Sequence, residues 1–264
     1  KVDRDSTGHF FLFVNPNTIG CDSVLKGLNY AFPQATCIGG LASPSHPATH
    51  NSLFLEDQLM RAGVVGLHIS SSGDSHHFIC PGYRRVGNMG RITKAREAWV
   101  EEINHHPALD YLCDSFDQLR SQENHIQEVS LQAGLLNDSN QSVPRETDFR
   151  IRTINQINSV RGSFHLTGEF REGQQIQFML DAPSATFLEM RKKGSQFEKR
   201  FASSHGIFCV SSVAQGVQKQ FRELFHPGLC QGPSVCGFMG HGEIATFAGE
   251  SHLYQLTSAI SCFQ

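Results

Sequence analysis

The sequence predicts a mixed α/β (α+β) fold made of two similar lobes, each built of mixed strands packed with helices. Short apolar runs typical of buried strands alternate with amphipathic stretches from the first residues onward. The second half of the chain repeats this mixture of patterns. The length of 264 residues suffices for one large domain or two small ones, each with its own core.

The first elements are predicted to be a strand, a helix and a strand. Phe10–Val14 is a short, fully apolar run. Asp22 or Ser23 can cap a helix with one apolar face, which Pro33 ends. Ala35–Ile38 is a second apolar run. This order is typical of a parallel, right-handed crossover.

Two strands and a helix are predicted in the next part of the chain. Ser52–Leu55 and Gly63–Ile69 are strand-like, and the short loop Glu56–Gln58 between them favours antiparallel pairing. Ile92–Ile103 begins as a strand pattern and then becomes mixed. A helix is predicted to open at His106-Pro107, with the proline in its first turn.

The stretch Ser121–Asp148 is polar and is predicted to be a surface loop or connector. Two later helices are expected, one capped by Asp181 or Ser184 and running towards Lys193, the other around Val217–Phe225. No short sequence repeat is visible, only a coarse likeness of pattern between the halves. The remaining strand patterns are Arg150–Arg152, Ser163–Leu166, Gln175–Leu180, Gly206–Val210, Ser234–Phe238 and Tyr254–Phe263.

Charge and hydropathy argue against nucleic-acid binding and membrane insertion. The 22 basic and 25 acidic residues give a formal net charge of -3, without the basic excess of nucleic-acid-binding proteins. No apolar run approaches the about 18 residues needed to span a membrane. Lys1–Gly8 is polar and does not resemble a signal peptide, although a trimmed targeting peptide stays an open alternative.

The cysteines indicate a reducing compartment. None of the eight forms a C-x-x-C pair, and several lie inside apolar strand-like runs, as Cys209 does. A chain of this length needs no disulfide bonds to be stable, so free thiols and an intracellular location, in the cytoplasm or inside an organelle, are expected.

The residues favour neither metal binding nor catalysis. Among fourteen histidines, His76-His77 and His105-His106 are adjacent pairs whose side chains point apart, and no H-E-x-x-H is present. No G-x-S-x-G elbow is present either, and nothing supplies a base for Ser211 or Ser212. We therefore expect a protein without a cofactor and without enzymatic activity.

A ligand site is predicted where glycines follow apolar strands. Gly39-Gly40 is interpreted as a turn, and Gly237–Gly242 as a second one followed directly by Glu243. Such turns either let a ligand approach the backbone or serve packing alone. Glu243 could bind the amino group of a ligand, or it could pin its own turn. The candidate ligand-binding residues are Gly39, Gly40, Ser43, Gly240, Gly242 and Glu243.

An ordered series of motifs resembles the FIST family, named for its occurrence in F-box and intracellular signal-transduction proteins. The resemblance implies a FIST N-terminal-like domain at 1–107 and a FIST C-terminal-like domain at 108–264, with 121–148 as the connector. The matching segments are Phe32–Ser43, Arg61–Leu67, Cys80–Gly87, Ile92–Ala95, His106–Leu112, Gly168–Gln174, Phe178–Ala182, Gly237–Ile244 and Leu253–Ser258.

The resemblance implies a sensory module for small ligands such as amino acids, or a protein-recruiting part of a larger complex. Two arginines typical of the family are replaced here, by Leu180 and Gln215. Because these arginines could bind an anionic ligand, their loss favours a non-catalytic scaffold or assembly subunit that binds other proteins. An intracellular small-ligand sensor is the alternative, and an uncharacterised enzyme is a third hypothesis.

Overall fold

The chain forms two compact units. Unit 1 comprises Lys1–Gly82 and Pro183–Gln264, and unit 2 comprises Tyr83–Ala182. The predicted boundary between domains 1–107 and 108–264 stays a prediction. The structure is a computed structural model that describes residues 2–5, 7–16, 20–43, 50–70, 74–122, 131–136, 144–145, 148–182, 205–213, 234–247 and 249–264.

Strands dominate the described residues, which contain two helices. A mixed α/β fold is therefore confirmed. However, the described residues do not form lobes that are packed extensively with helices. The elements are β1 (Gly8–Val14), α1 (Cys21–Ala31), β2 (Thr36–Leu41), β3 (Leu53–Leu55), β4 (Gln58–Met60), β5 (Val64–Ser70), β6 (Ser75–Pro81), β7 (Tyr83–Arg96), β8 (Trp99–Ile103), β9 (His106–Pro107), α2 (Ala108–Gln122), β10 (Leu131–Leu136), β11 (Phe149–Arg152), β12 (Ile154–Asn158), β13 (Ser163–Leu166), β14 (Gln175–Asp181), β15 (Gly206–Ser212), β16 (Ser234–Gly240), β17 (Gly242–Phe247), β18 (Glu250–Tyr254) and β19 (Thr257–Phe263).

Unit 1 contains two main sheets. Sheet I has the strand order β18-β17-β2-β1-β5, and sheet II has the order β16-β15-β19-β6. The predicted parallel crossover is confirmed, because β1 and β2 pair in parallel and α1 lies between them in the sequence, while its right-handedness stays a prediction. The helix begins at Cys21, and its N-cap is Gly20, which has a left-handed φ of 88°. No side chain caps the helix, so the predicted caps Asp22 and Ser23 are wrong.

Alternation of side chains along β1 places its two faces in different layers. Phe10, Leu12 and Val14 pack in a core cluster with Leu25 of α1. Phe11 points the other way and meets aromatic rings of sheet II, with its ring centroid 5.3 Å from that of Phe208. The continuous apolar run of β1 therefore reflects apolar contacts on both faces, although Phe13 remains partly exposed.

The predicted pairing of Ser52–Leu55 with Gly63–Ile69 is wrong. Leu53–Leu55 instead forms a hairpin with β4, and β5 pairs antiparallel with β1. The two-residue turn, with Glu56 at a positive φ of 55°, allows the chain to return at once, so β4 takes the place expected for β5.

The predicted turn at Gly39-Gly40 is also wrong, because both glycines lie inside β2. Gly39 has a φ of 149°, and a Cβ atom there would collide with the carbonyl oxygen of Leu12 on β1. In sheet II, Gly237 has a φ of 154°, and a Cβ atom would collide with the carbonyl oxygen of Cys209. Close approach of paired strands therefore requires glycine at both positions.

The two sheets contain the same arrangement of strands. β1 pairs parallel with β2 and antiparallel with β5, and β15 pairs parallel with β16 and antiparallel with β19. Leu12 lies opposite Gly39, and Cys209 lies opposite Gly237, so the registers correspond. After the second strand of each copy comes a hairpin, β3–β4 in one and β17–β18 in the other. Unit 1 thus contains an internal structural repeat.

Unit 2 is built on an eight-stranded sheet with the order β11-β10-β14-β7-β8-β13-β12, in which β9 pairs with β8. The helix α2 follows Pro107 and packs on this sheet through apolar side chains spaced for one helical face, among them Ala108, Leu112, Phe116 and Leu119. The helix thus begins two residues after His106, where it was predicted to open, because His106–Pro107 forms β9.

The predicted polar connector Ser121–Asp148 is partly wrong. Ser121 and Gln122 end α2, and Leu131–Leu136 forms β10 between β11 and β14. The flanking polar residues obscured this strand, whose leucines are buried in the sheet. The helices predicted towards Lys193 and around Val217–Phe225 lie outside the described residues.

Replacing Gly39 by alanine is expected to destabilise unit 1 by about 2 kcal/mol or more, because the new Cβ atom overlaps backbone and the φ of 149° disfavours side chains. Gly27→Ala is the control, since an added Cβ meets nothing within 4 Å there and alanine favours a helix. Urea unfolding, monitored by circular dichroism, measures the free energy of unfolding of both variants. Equal stability of Gly39→Ala and wild type would contradict the close approach of β1 and β2.

Candidate functional site

Pairing of β2 with β17 brings together five of the six predicted site residues. Gly40 lies opposite Glu243, and Gly242 lies opposite Leu41, although some 200 residues separate the strands in the sequence. Gly240 ends β16, just before His241 and the start of β17. Ser43 lies two residues beyond β2 and takes no part in this pairing.

Glu243 is fully buried and only partly satisfied. Its Oε2 atom accepts hydrogen bonds from the Thr257 amide (3.3 Å) and from the Thr257 hydroxyl (2.7 Å). Its Oε1 atom has no hydrogen-bond partner. The β17 strand belongs to sheet I but also contacts β15, β19 and β6 of sheet II, so the carboxyl group lies where the two sheets approach each other.

Burial raises the pKa of Glu243 to about 8, and the hydrogen bonds from Thr257 oppose this rise only in part. The carboxyl group is therefore largely neutral near pH 7. Burial also raises the pKa of the Cys209 thiol well above its usual value, with the neighbouring Cys80 and Glu243 adding to the effect. The thiolate form of Cys209 is therefore disfavoured, which makes the thiol a poor nucleophile.

The glycines around Glu243 do not leave open space. A Cβ atom on Gly40 would lie 2.5 Å from the carbonyl oxygen of Gly242 and 2.9 Å from Val210. A Cβ atom on Gly240 would lie 2.5 Å from the carbonyl oxygen of Leu41. These positions are glycine because strands pack there, which favours the packing interpretation over approach of a ligand to their backbone.

Thr257 is the residue of this site that the sequence did not indicate. It begins β19, after a turn in which Leu256 has a positive φ of 56°. Its amide and hydroxyl donate hydrogen bonds to Glu243, which lies fourteen residues earlier in the sequence. Neither periodicity nor a motif links the two, so only the β17–β18–β19 connection shows that they meet.

A second buried polar group lies between the sheets of unit 1. The ring centroids of His9 on β1 and His77 on β6 are 5.5 Å apart. His77 hydrogen-bonds to Ser261 and Ser75, and His9 to Thr36. These two histidines are not surface residues, since His9 is buried and His77 is partly buried.

Burial, together with the positive charges of protonated His9 and His76, lowers the pKa of His77 to about 4. Burial lowers the pKa of His9 as well, with a smaller effect of His68. Both rings are therefore neutral near pH 7. Within the described part of the chain, no group of three or more His, Cys, Asp and Glu residues could hold a metal ion.

The described serines and cysteines form no nucleophilic constellation. The Ser211 hydroxyl hydrogen-bonds to the Ser258 hydroxyl at 2.6 Å, and both side chains are buried. The seven cysteines in the described ranges carry free thiols, as predicted, and Cys230 lies outside those ranges. Neither described helix is long and apolar enough to cross a membrane.

Of the two positions where arginines were expected, Leu180 is buried in the core of unit 2, and Gln215 lies outside the described residues. Comparison with protein families adds the decisive observation. The FIST N domain matches residues 2–106, and the FIST C domain matches residues 108–246. The chain belongs to the FIST family.

This FIST chain is also similar to mycobacterial proteins described as uncharacterized. Two of them, from Mycobacterium tuberculosis strains CDC 1551 / Oshkosh and ATCC 25618 / H37Rv, are 22% identical over 269 residues, covering 100% of this chain and 70% of each relative. A third, from Mycobacterium bovis strain ATCC BAA-935 / AF2122/97, is 22% identical and is covered over 69% of its length.

Glu243 is expected to make the FIST chain less stable as pH rises from about 4.5 to about 8, because the unfolded carboxyl ionises in this range while the folded one holds its proton. His77 has the opposite effect between about 4 and 6.5, where only the unfolded imidazole is charged. Between pH 6.5 and about 8 the loss that Glu243 contributes is about 1 kcal/mol per pH unit, and it levels off once the folded carboxyl ionises.

Urea unfolding of wild type and Glu243→Gln at a series of pH values measures this contribution as a difference between the two proteins. The amide keeps an acceptor for Thr257 but cannot ionise, so the variant should lack that loss between pH 6.5 and 8. Parallel curves over this range would show that the folded protein holds Glu243 ionised and would contradict the assignment. His77→Gln is the matched variant for the acid range.

Proposed function

We propose that this FIST chain is a non-catalytic scaffold or assembly subunit that binds other proteins. The observation that carries the proposal is an apolar surface on β3, β4 and β5, called here the β3–β5 patch. Five of the ten exposed large hydrophobic side chains of the described residues lie on these short strands. They are Phe54 (67% exposed), Leu55 (49%), Leu59 (50%), Leu67 (58%) and Ile69 (43%).

The strands that carry the patch are neighbours. Phe54 and Leu59 are directly opposite each other in the β3–β4 hairpin, and β3 contacts β5. Soluble proteins seldom expose large side chains in such a group unless a partner covers them. Glu56 and Asp57 in the hairpin turn supply the polar rim typical of protein interfaces.

The double variant Phe54→Ser, Leu59→Ser tests the proposal, because it removes a cross-strand apolar pair that the fold already exposes. Wild-type and variant chains are used as baits in the same cell extract, and the bound proteins are quantified by mass spectrometry. Proteins that bind through the patch should be reduced about tenfold or more with the variant, since buried apolar anchors dominate interface energies.

Val160→Ser is the matched control, since Val160 is 95% exposed and lies in a turn of unit 2. Thermal unfolding of all three proteins checks that the variants fold. If every protein retained by wild type is retained equally by the double variant, the patch is not a protein-binding surface and the scaffold proposal falls.

A small-ligand sensory domain is the second candidate function, and one observation favours it. Glu243 is fully buried, yet its Oε1 atom lacks a hydrogen-bond partner. An unsatisfied buried polar atom is costly, and a ligand amino group could satisfy it as an ammonium–carboxylate pair. Such a ligand would ionise the neutral carboxyl group and release its proton.

Thermal unfolding with and without single amino acids tests this candidate. A ligand present at 100 times its dissociation constant should stabilise the chain by about 2.7 kcal/mol. At pH 7, calorimetry in two buffers of different ionisation enthalpy should show release of close to one proton with wild type and none with Glu243→Gln. Equal stabilisation of both proteins would place the ligand elsewhere and reject Glu243 as its partner.

A further inference from the structure

We infer that the outer edge of β5, with which no described strand pairs, accepts an extended segment of another protein that carries no Asp, Glu, Lys or Arg. The segment pairs antiparallel with β5 as β6 pairs with β19. The inference deepens the proposed protein-binding function and rests on it. It names the place, the orientation and the chemistry of the partner segment. Main-chain hydrogen bonds would supply much of the affinity, as in other cases of strand addition.

The internal repeat of unit 1 identifies β5 and β19 as equivalent strands. Phe11 lies opposite Leu67 in the β1–β5 pair, and Phe208 lies opposite Ser261 in the β15–β19 pair. Phe11 and Phe208 are equivalent positions and contact each other. Leu67 on β5 therefore corresponds to Ser261 on β19.

The two equivalent strands differ in what lies on their outer side. The outer side of β19 pairs with β6 over its whole length, from Thr257 opposite Pro81 to Phe263 opposite Ser75. Among the described strands, β5 pairs with β1 alone. The consequence is visible in exposure, since Ser261 is 3% exposed and the equivalent Leu67 is 58% exposed.

The sequence of β5 lacks the features that protect sheet edges. Val64–Ser70 contains no Asp, Glu, Lys, Arg or proline, and its register with β1 has no bulge. Other edge strands are protected, for example β18 by Glu250, and β12 by an irregularity between Ile154 and Gln156. An unprotected edge is a template for another strand.

The occupied edge of β19 shows which chemistry fits. β6, Ser75–Pro81, carries no Asp, Glu, Lys or Arg, and Ile79 and His77 lie opposite Ala259 and Ser261. A segment on β5 would place its alternate side chains against Leu67 and Ile69. Apolar residues at these alternate positions would cover the leucine and isoleucine that the fold leaves exposed.

The probe is a labelled synthetic peptide based on residues 75–82. In the equivalent register Ser75 and His77 would lie opposite Ile69 and Leu67, so both are replaced by valine, and Cys80 is replaced by serine. Fluorescence anisotropy measures its binding to the full chain. We expect saturable binding that Leu67→Lys weakens by about tenfold or more, because a charged side chain replaces a buried apolar one. Ile69→Lys is a second variant of the same kind, should the first fail to fold.

Ile157→Lys is the matched control, since Ile157 is 57% exposed on the edge strand β12 of unit 2. It should leave peptide binding unchanged. Two further peptides carry N-methyl groups on alternate residues, one set for each edge of the strand. Methylation of the edge that faces β5 should abolish binding, and methylation of the other edge should not.

Three results would overturn the inference. Binding that is unaffected by Leu67→Lys would show that the peptide replaces β6 on β19, and equal loss with both methylated peptides would exclude strand pairing. If the free chain is a dimer and Leu67→Lys makes it monomeric, a second copy of the chain occupies the edge of β5. If proteins are captured through Phe54 and Leu59 but the peptide does not bind, this inference is rejected and the proposed function stands. If the capture experiment fails, the proposed function is rejected as well.

Discussion

The close approach of parallel strands at Gly39 and Gly237 is the constraint on which unit 1 depends. At both positions a side chain would collide with the carbonyl oxygen of the neighbouring strand, Leu12 in one case and Cys209 in the other. Because the glycines lie at the same register in both sheets, the two sheets carry the same three-strand arrangement. The hairpins that follow each arrangement, β3–β4 and β17–β18, then have equivalent places in the chain.

This repeat also explains why titratable groups lie in an apolar layer. The chain leaves sheet II at Gly240 and enters sheet I at Gly242, so Glu243 is carried into the region where the sheets meet. His77 reaches the same kind of environment because β6 follows β5 in sequence but pairs with β19. These two crossings between sheets each place an ionisable side chain in the layer between them, and the two side chains have opposite effects on stability as pH changes.

The surroundings of Glu243 and the surface of strands β3 to β5 differ in what covers them. Inside unit 1, backbone atoms of neighbouring strands occupy the space beside the glycines near Glu243. In contrast, β3, β4 and β5 present large apolar side chains to solvent. The first feature argues for packing, and the second argues for a partner. Membership of the FIST family fits either a sensory or a protein-binding role, and the exposed strands favour the latter.

The sequence by itself determined the local elements and the family. Apolar runs predicted β1, β14 and β15, Pro33 and Pro107 marked a helix end and a helix start, and the ordered motifs indicated the FIST family. These features depend on neighbours in the chain, because periodicity, proline geometry and short motifs are local.

Only the tertiary structure decided which strands pair and which residues meet. It placed Gly39 inside a strand, joined Glu243 to Thr257, paired β6 with β19, and made β10 an interior strand of unit 2. None of these could be read from the sequence, because the pairing of distant strands depends on backbone contacts that leave no periodic pattern. The glycines illustrate the difference, since the sequence showed that they matter and only the neighbouring carbonyl oxygens showed why.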